Sequence, residues 1–182
     1  MNPKSYPNTT LPTPNSEEPD NLNMPHKFSS RVPEDCRVYQ DDWFTITDFM
    51  PSGIKNAVGQ TGTGNCHGAA ETYPNPNLSL NVPWMQHIDW LRANGKVEFD
   101  ASGYSPTAGD LIAWYAASPI PTNSGTIPQG ALLHSAVVMY KSLVSARISM
   151  FEKTGTGSNY GARIWQLDMQ APHFGSWHSY WH

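Results

Sequence analysis

The sequence predicts an α+β domain in which short helices come first and an antiparallel sheet follows. Two observations carry this. The middle of the chain holds two helix signals in succession, and the part after residue 110 holds four short runs enriched in β-branched and aromatic residues. That order belongs to a domain whose helices pack on one face or end of the sheet. With 182 residues and 38% hydrophobic content, the chain can bury one sizeable core.

Residues 1–30 are rich in Pro, Asn, Ser and Glu and poor in large aliphatics. Such a segment buries too little apolar surface to offset the entropy of ordering it, so it reads as a flexible or surface-wrapping arm. Residues 31–182 then form a single domain. Its first apolar mass is Val38, Tyr39, Trp43, Phe44, Ile46 and Phe49, before Pro51-Ser52-Gly53 breaks the chain. A Gly and Thr rich loop at 59–64 leads into a short helix at 66–73, which Pro74 and Pro76 terminate. Pro83 opens a second helix, with Trp84, Ile88 and Leu91 at helical spacing and Gly95 as its stop. Strands are predicted at 110–116, 134–140, 147–152 and 162–168. Residues 118–129 form a Pro, Ser and Gly rich loop placed to overhang a cleft. The tail His173, Phe174, Trp177, His178, Tyr180, Trp181, His182 is read as a segment packed over the domain. Its histidine spacing fits no zinc signature.

Composition narrows the function. A formal net charge of -4, with 11 Lys plus Arg and no basic run, argues against a nucleic-acid partner or an anionic membrane surface. No apolar stretch approaches the roughly 20 residues that span a bilayer, and no charged-then-apolar leader is recognisable. The chain is expected to be made as a soluble protein and to act, after export or delivery, outside the producing cytoplasm. Two cysteines permit one disulfide at most. Cys36, in Glu-Asp-Cys-Arg-Val-Tyr, has no activating neighbour and reads as structural or incidental.

Cys66 is different. Gly64-Asn65-Cys66 places it at a predicted helix N-terminus, where partial positive charge and free N–H groups favour a thiolate. His134 opens a strongly apolar strand and is the candidate base. Glu152, at the end of the next strand, is the first candidate to orient the imidazole, with Asn159 and Asp168 as alternatives. The Cys66 N–H and the Gln60 amide are candidate donors to a developing oxyanion. His67 and Asn65 flank the thiol and are candidate substrate contacts. Asp110, in a Gly-Asp-Leu turn, is assigned to local backbone bonding.

These residues carry a resemblance. Gln60-Thr-Gly-Thr-Gly-Asn-Cys66 looks like the segment of papain-like cysteine peptidases that holds the oxyanion amide and the nucleophile. His134-Ser-Ala-Val-Val, followed by Ile148-Ser-Met-Phe-Glu152-Lys-Thr-Gly-Thr-Gly, resembles that superfamily's base strand, orienting strand and glycine turn. Pro106-Thr-Ala-Gly109-Asp110-Leu-Ile-Ala-Trp114 is similar to the CHAP and NlpC-type amidase and endopeptidase branch. The chain departs from papain itself in having Glu152 in place of Asn and His67 in place of the aromatic after the nucleophile.

The resemblance implies a papain-like cysteine hydrolase that cuts an amide bond through a Cys66 thioester, with no cofactor and no metal. It also implies a peptide or peptidoglycan substrate, work as a toxin, effector or lysis enzyme, and an inhibitor or immunity protein as a further partner. Three rivals remain: a protein-directed protease or glutamine deamidase toxin, a non-enzymatic binding module on the same fold, and a metal site built from His67, His134 and the tail histidines.

Overall fold

The computed structural model describes residues 50–123, 125–142, 146–158, 161–168 and 177–182. Three helices come first: α1 (Ser52–Ala57), α2 (Cys66–Glu71) and α3 (Trp84–Ala93). The strands are β1 (Glu98–Asp100), β2 (Leu111–Tyr115), β3 (Ile120–Thr122), β4 (Gly125–Ile127), β5 (Leu132–Lys141), β6 (Arg147–Lys153), β7 (Ala162–Asp168) and β8 (Trp177–Trp181). Six of them form one sheet in the order β1-β8-β2-β5-β6-β7, with every pairing antiparallel, and β3 and β4 make a separate hairpin. The protein is therefore of the α+β class.

The sheet is buried on both sides, which is why its strands read as near-continuous apolar runs instead of strict alternation. Leu111, Ala113, Tyr115, Val137 and Trp181 pack with Trp84, Ile88 and Leu91 of α3. The intervening residues Ile112, Trp114, Ala136, Val138, Ile148, Met150 and Tyr180 form a second cluster, with Ala101 and Tyr104 against it. A third cluster joins Ile54 and Ala57 of α1 and Ala69 of α2 to Phe151 and Ile164 at the far end of the sheet. Both helices near the site thus rest on β5 to β7.

Four sequence readings are corrected. Pro51-Ser52-Gly53 starts α1 and does not break the chain, because proline's missing N–H is no loss at a helix start. The aromatic tail does not lie over the domain. Residues 177–181 enter the sheet between β1 and β2, where Trp181 Nε1 donates to the Tyr115 hydroxyl at 3.0 Å. β1 was not foreseen; its Glu98 side chain accepts a hydrogen bond from Ser179. The 118–129 segment contains the β3–β4 hairpin, whose Ile127 is buried in the core. The arm, the first apolar mass at 37–49, Cys36, His173 and Phe174 lie outside the described residues.

Asp110 fixes the start of β2. Its carboxylate accepts from the Tyr104 hydroxyl (2.9 Å) and the Thr107 amide (2.7 Å), and it binds His182 Nδ1 at 2.7 Å. These bonds tie the loop before β2 to the residue after β8. Among the described residues no helix is long and apolar enough to cross a membrane.

Because β8 is internal to the sheet, removing its largest buried side chain should be severe. Trp181→Ala is expected to lower stability by about 3–5 kcal/mol in urea unfolding; a loss under about 1 kcal/mol would contradict the strand's central place.

Candidate active site

The start of α2 is set by a backbone clamp. Gly64 N–H donates to Leu78 O at 2.8 Å and Asn65 N–H to Leu80 O at 3.1 Å. The two segments approach so closely that a Cβ added at Gly64 or Gly68 would lie 2.3 or 2.0 Å from Leu80 O. Glycine is required there by space alone. Asn65 then caps the helix: its Oδ1 accepts from Gly68 N–H at 2.9 Å and Val82 N–H at 3.1 Å, and its Nδ2 donates to Val82 O at 2.6 Å. With all of this satisfied and only 1% of its surface exposed, Asn65 is the clamp that sets Cys66 at the first helical position.

Cys66 is a free, buried thiol. His67 Nδ1 lies 3.7 Å from its Sγ and 2.7 Å from Ser135 Oγ on β5. The His67 ring stacks on His87 of α3 at 4.9 Å, and His87 Nδ1 is 2.9 Å from Glu71 Oε1. His67 is 0% exposed. It packs α2 against α3 and lies beside the thiol.

His134 sits at an irregularity in the sheet. Trp114 pairs with His134, but the next residue, Tyr115, pairs with Leu132, so Leu133 is an extra residue on β5. Such bulges re-aim the neighbouring side chain. His134 Nε2 hydrogen-bonds Glu152 Oε2, and Glu152 Oε1 accepts from Arg163 Nε at 2.7 Å. Glu152 and Arg163 are direct partners across β6 and β7. With Nε2 engaged, Nδ1 is the ring nitrogen left to face Cys66, to which His134 is linked by hydrogen bond and charge.

The electrostatics follow from these neighbours. Burial alone would push the Cys66 thiol up, but the charges of His67 and His134 and their hydrogen bonds bring it down from 9.0 to about 6. Burial would lower His134, yet the Cys66 thiolate and the Glu152 carboxylate raise it from 6.5 to about 9. Glu152 resists its own burial because His134 and Arg163 hold it below the ordinary carboxylate value. Between roughly pH 6 and 9 the thiolate and imidazolium therefore coexist.

The structure brings Cys66, His134 and Glu152 together. It does not bring Gln60 to them: that side chain is exposed and its amide donates to Asn56 O at the end of α1. Asn159 and the Asp168 side chain lie outside the described residues. Two participants were missed by sequence reasoning. Ser135 follows His134 directly and carried no independent signal. Lys153 follows Glu152 and is 0% exposed, with Nζ donating to Gly155 O at 2.9 Å. A lysine at a strand end ordinarily reads as solvated, so only the structure exposes it. Among the described residues no group of three or more His, Cys, Asp or Glu side chains is placed to hold a metal ion.

No protein-family model, curated protein or solved structure matches this chain.

Glu152→Gln keeps the shape of the orienting residue but removes its charge. NMR titration of the His134 ring is expected to give a midpoint at least about one pH unit below that of the native protein. An unchanged midpoint would mean that Glu152 does not set the charge of His134.

Proposed function

We propose that this protein is a papain-like cysteine hydrolase that cleaves an amide bond, with Cys66 as nucleophile, His134 as acid and base, and Glu152 as the orienting residue. The observation that carries the reading is the buried imidazole of His134, linked on one side to the thiol and on the other to a carboxylate. A thiolate beside an imidazolium has the two groups that acyl transfer needs: an attacking electron pair and a proton for the leaving amine.

The steps follow from the arrangement. The Cys66 thiolate adds to the carbonyl carbon, and the oxyanion meets the Cys66 N–H at the first position of α2. The cap leaves this amide to the site, because Asn65 engages Gly68 and Ala69 further along the helix. A second donor from Gln60 requires its amide to leave Asn56 O. His134 Nδ1 gives its proton to the leaving amine as the thioester forms, then takes one from the deacylating water. Glu152, held in turn by Arg163, keeps the ring in the tautomer and orientation that both transfers require.

The substrate class rests on the resemblance of Gln60 to Cys66, Pro106 to Trp114 and His134 to Glu152 to CHAP and NlpC-type segments. It favours the peptide of bacterial peptidoglycan, and with it delivery outside the producing cytoplasm and an inhibitor or immunity partner. A protein-directed deamidase uses the same thioester and differs only in which amide enters.

Purified sacculi incubated with the protein, analysed by liquid chromatography and mass spectrometry, are expected to release cleaved stem peptides. Cys66→Ala and His134→Ala should each reduce release by at least about 1,000-fold. A product that only exchanges amide for acid, with its backbone intact, would point to the deamidase. The hydrolase reading fails if no amide substrate turns over and Cys66 alkylates no faster than an ordinary thiol.

A further inference from the structure

We infer that Lys153 is a positioning residue of the site: its buried ammonium, held on the helix-facing side of β6, stabilises the Cys66 thiolate and so sets how readily the nucleophile forms. This inference rests on the reading of Cys66 as nucleophile.

The placement comes from the sheet. Lys153 alternates with Phe151, and Phe151 packs in one cluster with Ala69 of α2, so the Lys153 side chain lies on the face that carries the nucleophile helix. Cys66 is at the start of that same short helix. β5 and β6 pair Val137 with Phe151. Continued two residues, that register sets Lys153 across from Ser135, the residue bonded to His67 beside the thiol.

The energetics require an anion. Lys153 is 0% exposed and its Nζ donates to one backbone carbonyl, Gly155 O, at 2.9 Å. Gly155 presents that carbonyl from a left-handed turn, φ 67°, a conformation glycine adopts without strain. One neutral acceptor does not compensate the removal of an ammonium from water. Cys66 at the start of α2 is the charged group that acts on it; His67 lies beside that thiol, and Glu152, the preceding residue of β6, points to the other face. The Glu152 carboxylate is engaged by His134 and Arg163. The thiolate of Cys66 is the charge that favours protonated Lys153. Burial acts against it and lowers the lysine from 10.5 to about 8.

Coupling between two sites is reciprocal, and the test uses both directions. The rate of iodoacetamide labelling at Cys66 is measured across pH, by peptide mass spectrometry, in the wild-type protein and in Lys153→Met. The wild-type midpoint is expected well below an ordinary thiol, and the variant's at least about one pH unit higher. In parallel, the Lys153 Nζ resonance is titrated in the wild-type protein and in Cys66→Ser. Loss of the thiolate is expected to lower the lysine midpoint by the same amount. If Lys153→Met does not fold, the second titration stands on its own. Equal midpoints in either comparison overturn the inference, since a purely structural lysine would change stability and leave both titrations in place. A wild-type Cys66 that titrates as an ordinary thiol instead overturns the hydrolase reading, whatever the variants do.

Discussion

One buried carboxylate supports the charge pattern of the whole site. Glu152 is 1% exposed, and a carboxylate so placed is tolerated only if cations and donors replace the water it has lost. His134 and Arg163 do this from the two strands that flank β6. The consequence runs outward from there. A neutral Glu152 would leave His134 with burial working against its charge, and an uncharged His134 would leave the Cys66 thiolate without a nearby imidazolium. Three adjacent strands, β5, β6 and β7, each contribute one member of this line, so the antiparallel order of the sheet is also the order of the charges.

Cys66 is positioned by a different device. α2 has six residues, too few to hold its geometry by internal hydrogen bonds alone. Its entry is instead fixed by contact. Gly64 and Gly68 let the backbone of Leu80 come within a distance no Cβ would allow, and Asn65 bonds to Val82 through both ends of its amide. His67 secures the next residue by stacking on His87, which is itself bonded to Glu71. The helix is thus held from three directions: the 78–82 segment, α3 and β5.

What was legible in the sequence follows from which signals are local. α2 and α3 were readable from glycines, prolines and the spacing of Trp84, Ile88 and Leu91, because those cues act within one turn. The strands β2, β5, β6 and β7 were readable because each is a short run enriched in apolar and β-branched residues. β8 was not, since its place between β1 and β2 depends on a pairing 68 residues distant in sequence, Ile112 with Tyr180, that no local pattern encodes. Cys66, His134 and Glu152 could be singled out by their order along the chain. The burial of Asn65 and His67 was not legible for a physical reason: a polar residue next to Cys66 has the same appearance in sequence whether it faces solvent or the core. Lys153 escaped notice by the converse argument, as a charged residue whose burial only the folded sheet reveals.

Magnitudes decide what activates the thiol. A helix N-terminus contributes about 0.3–1 kcal/mol to a nearby anion, and a helix as short as α2 belongs at the low end of that range. Lowering the thiol from 9.0 to about 6 against the penalty of burial corresponds to roughly 4 kcal/mol. The helix start therefore supplies position and a backbone N–H, while the greater part of the stabilisation comes from charged side chains. His67 and His134 both lower the thiol through charge and hydrogen bonding. His134 also has a carboxylate to sustain its charge, through the bond to Glu152. His67 bonds the Ser135 hydroxyl and stacks on His87. The bond to Glu152 thus suits His134 to the proton transfers proposed for it, and the stack on His87 suits His67 to holding Cys66 in place.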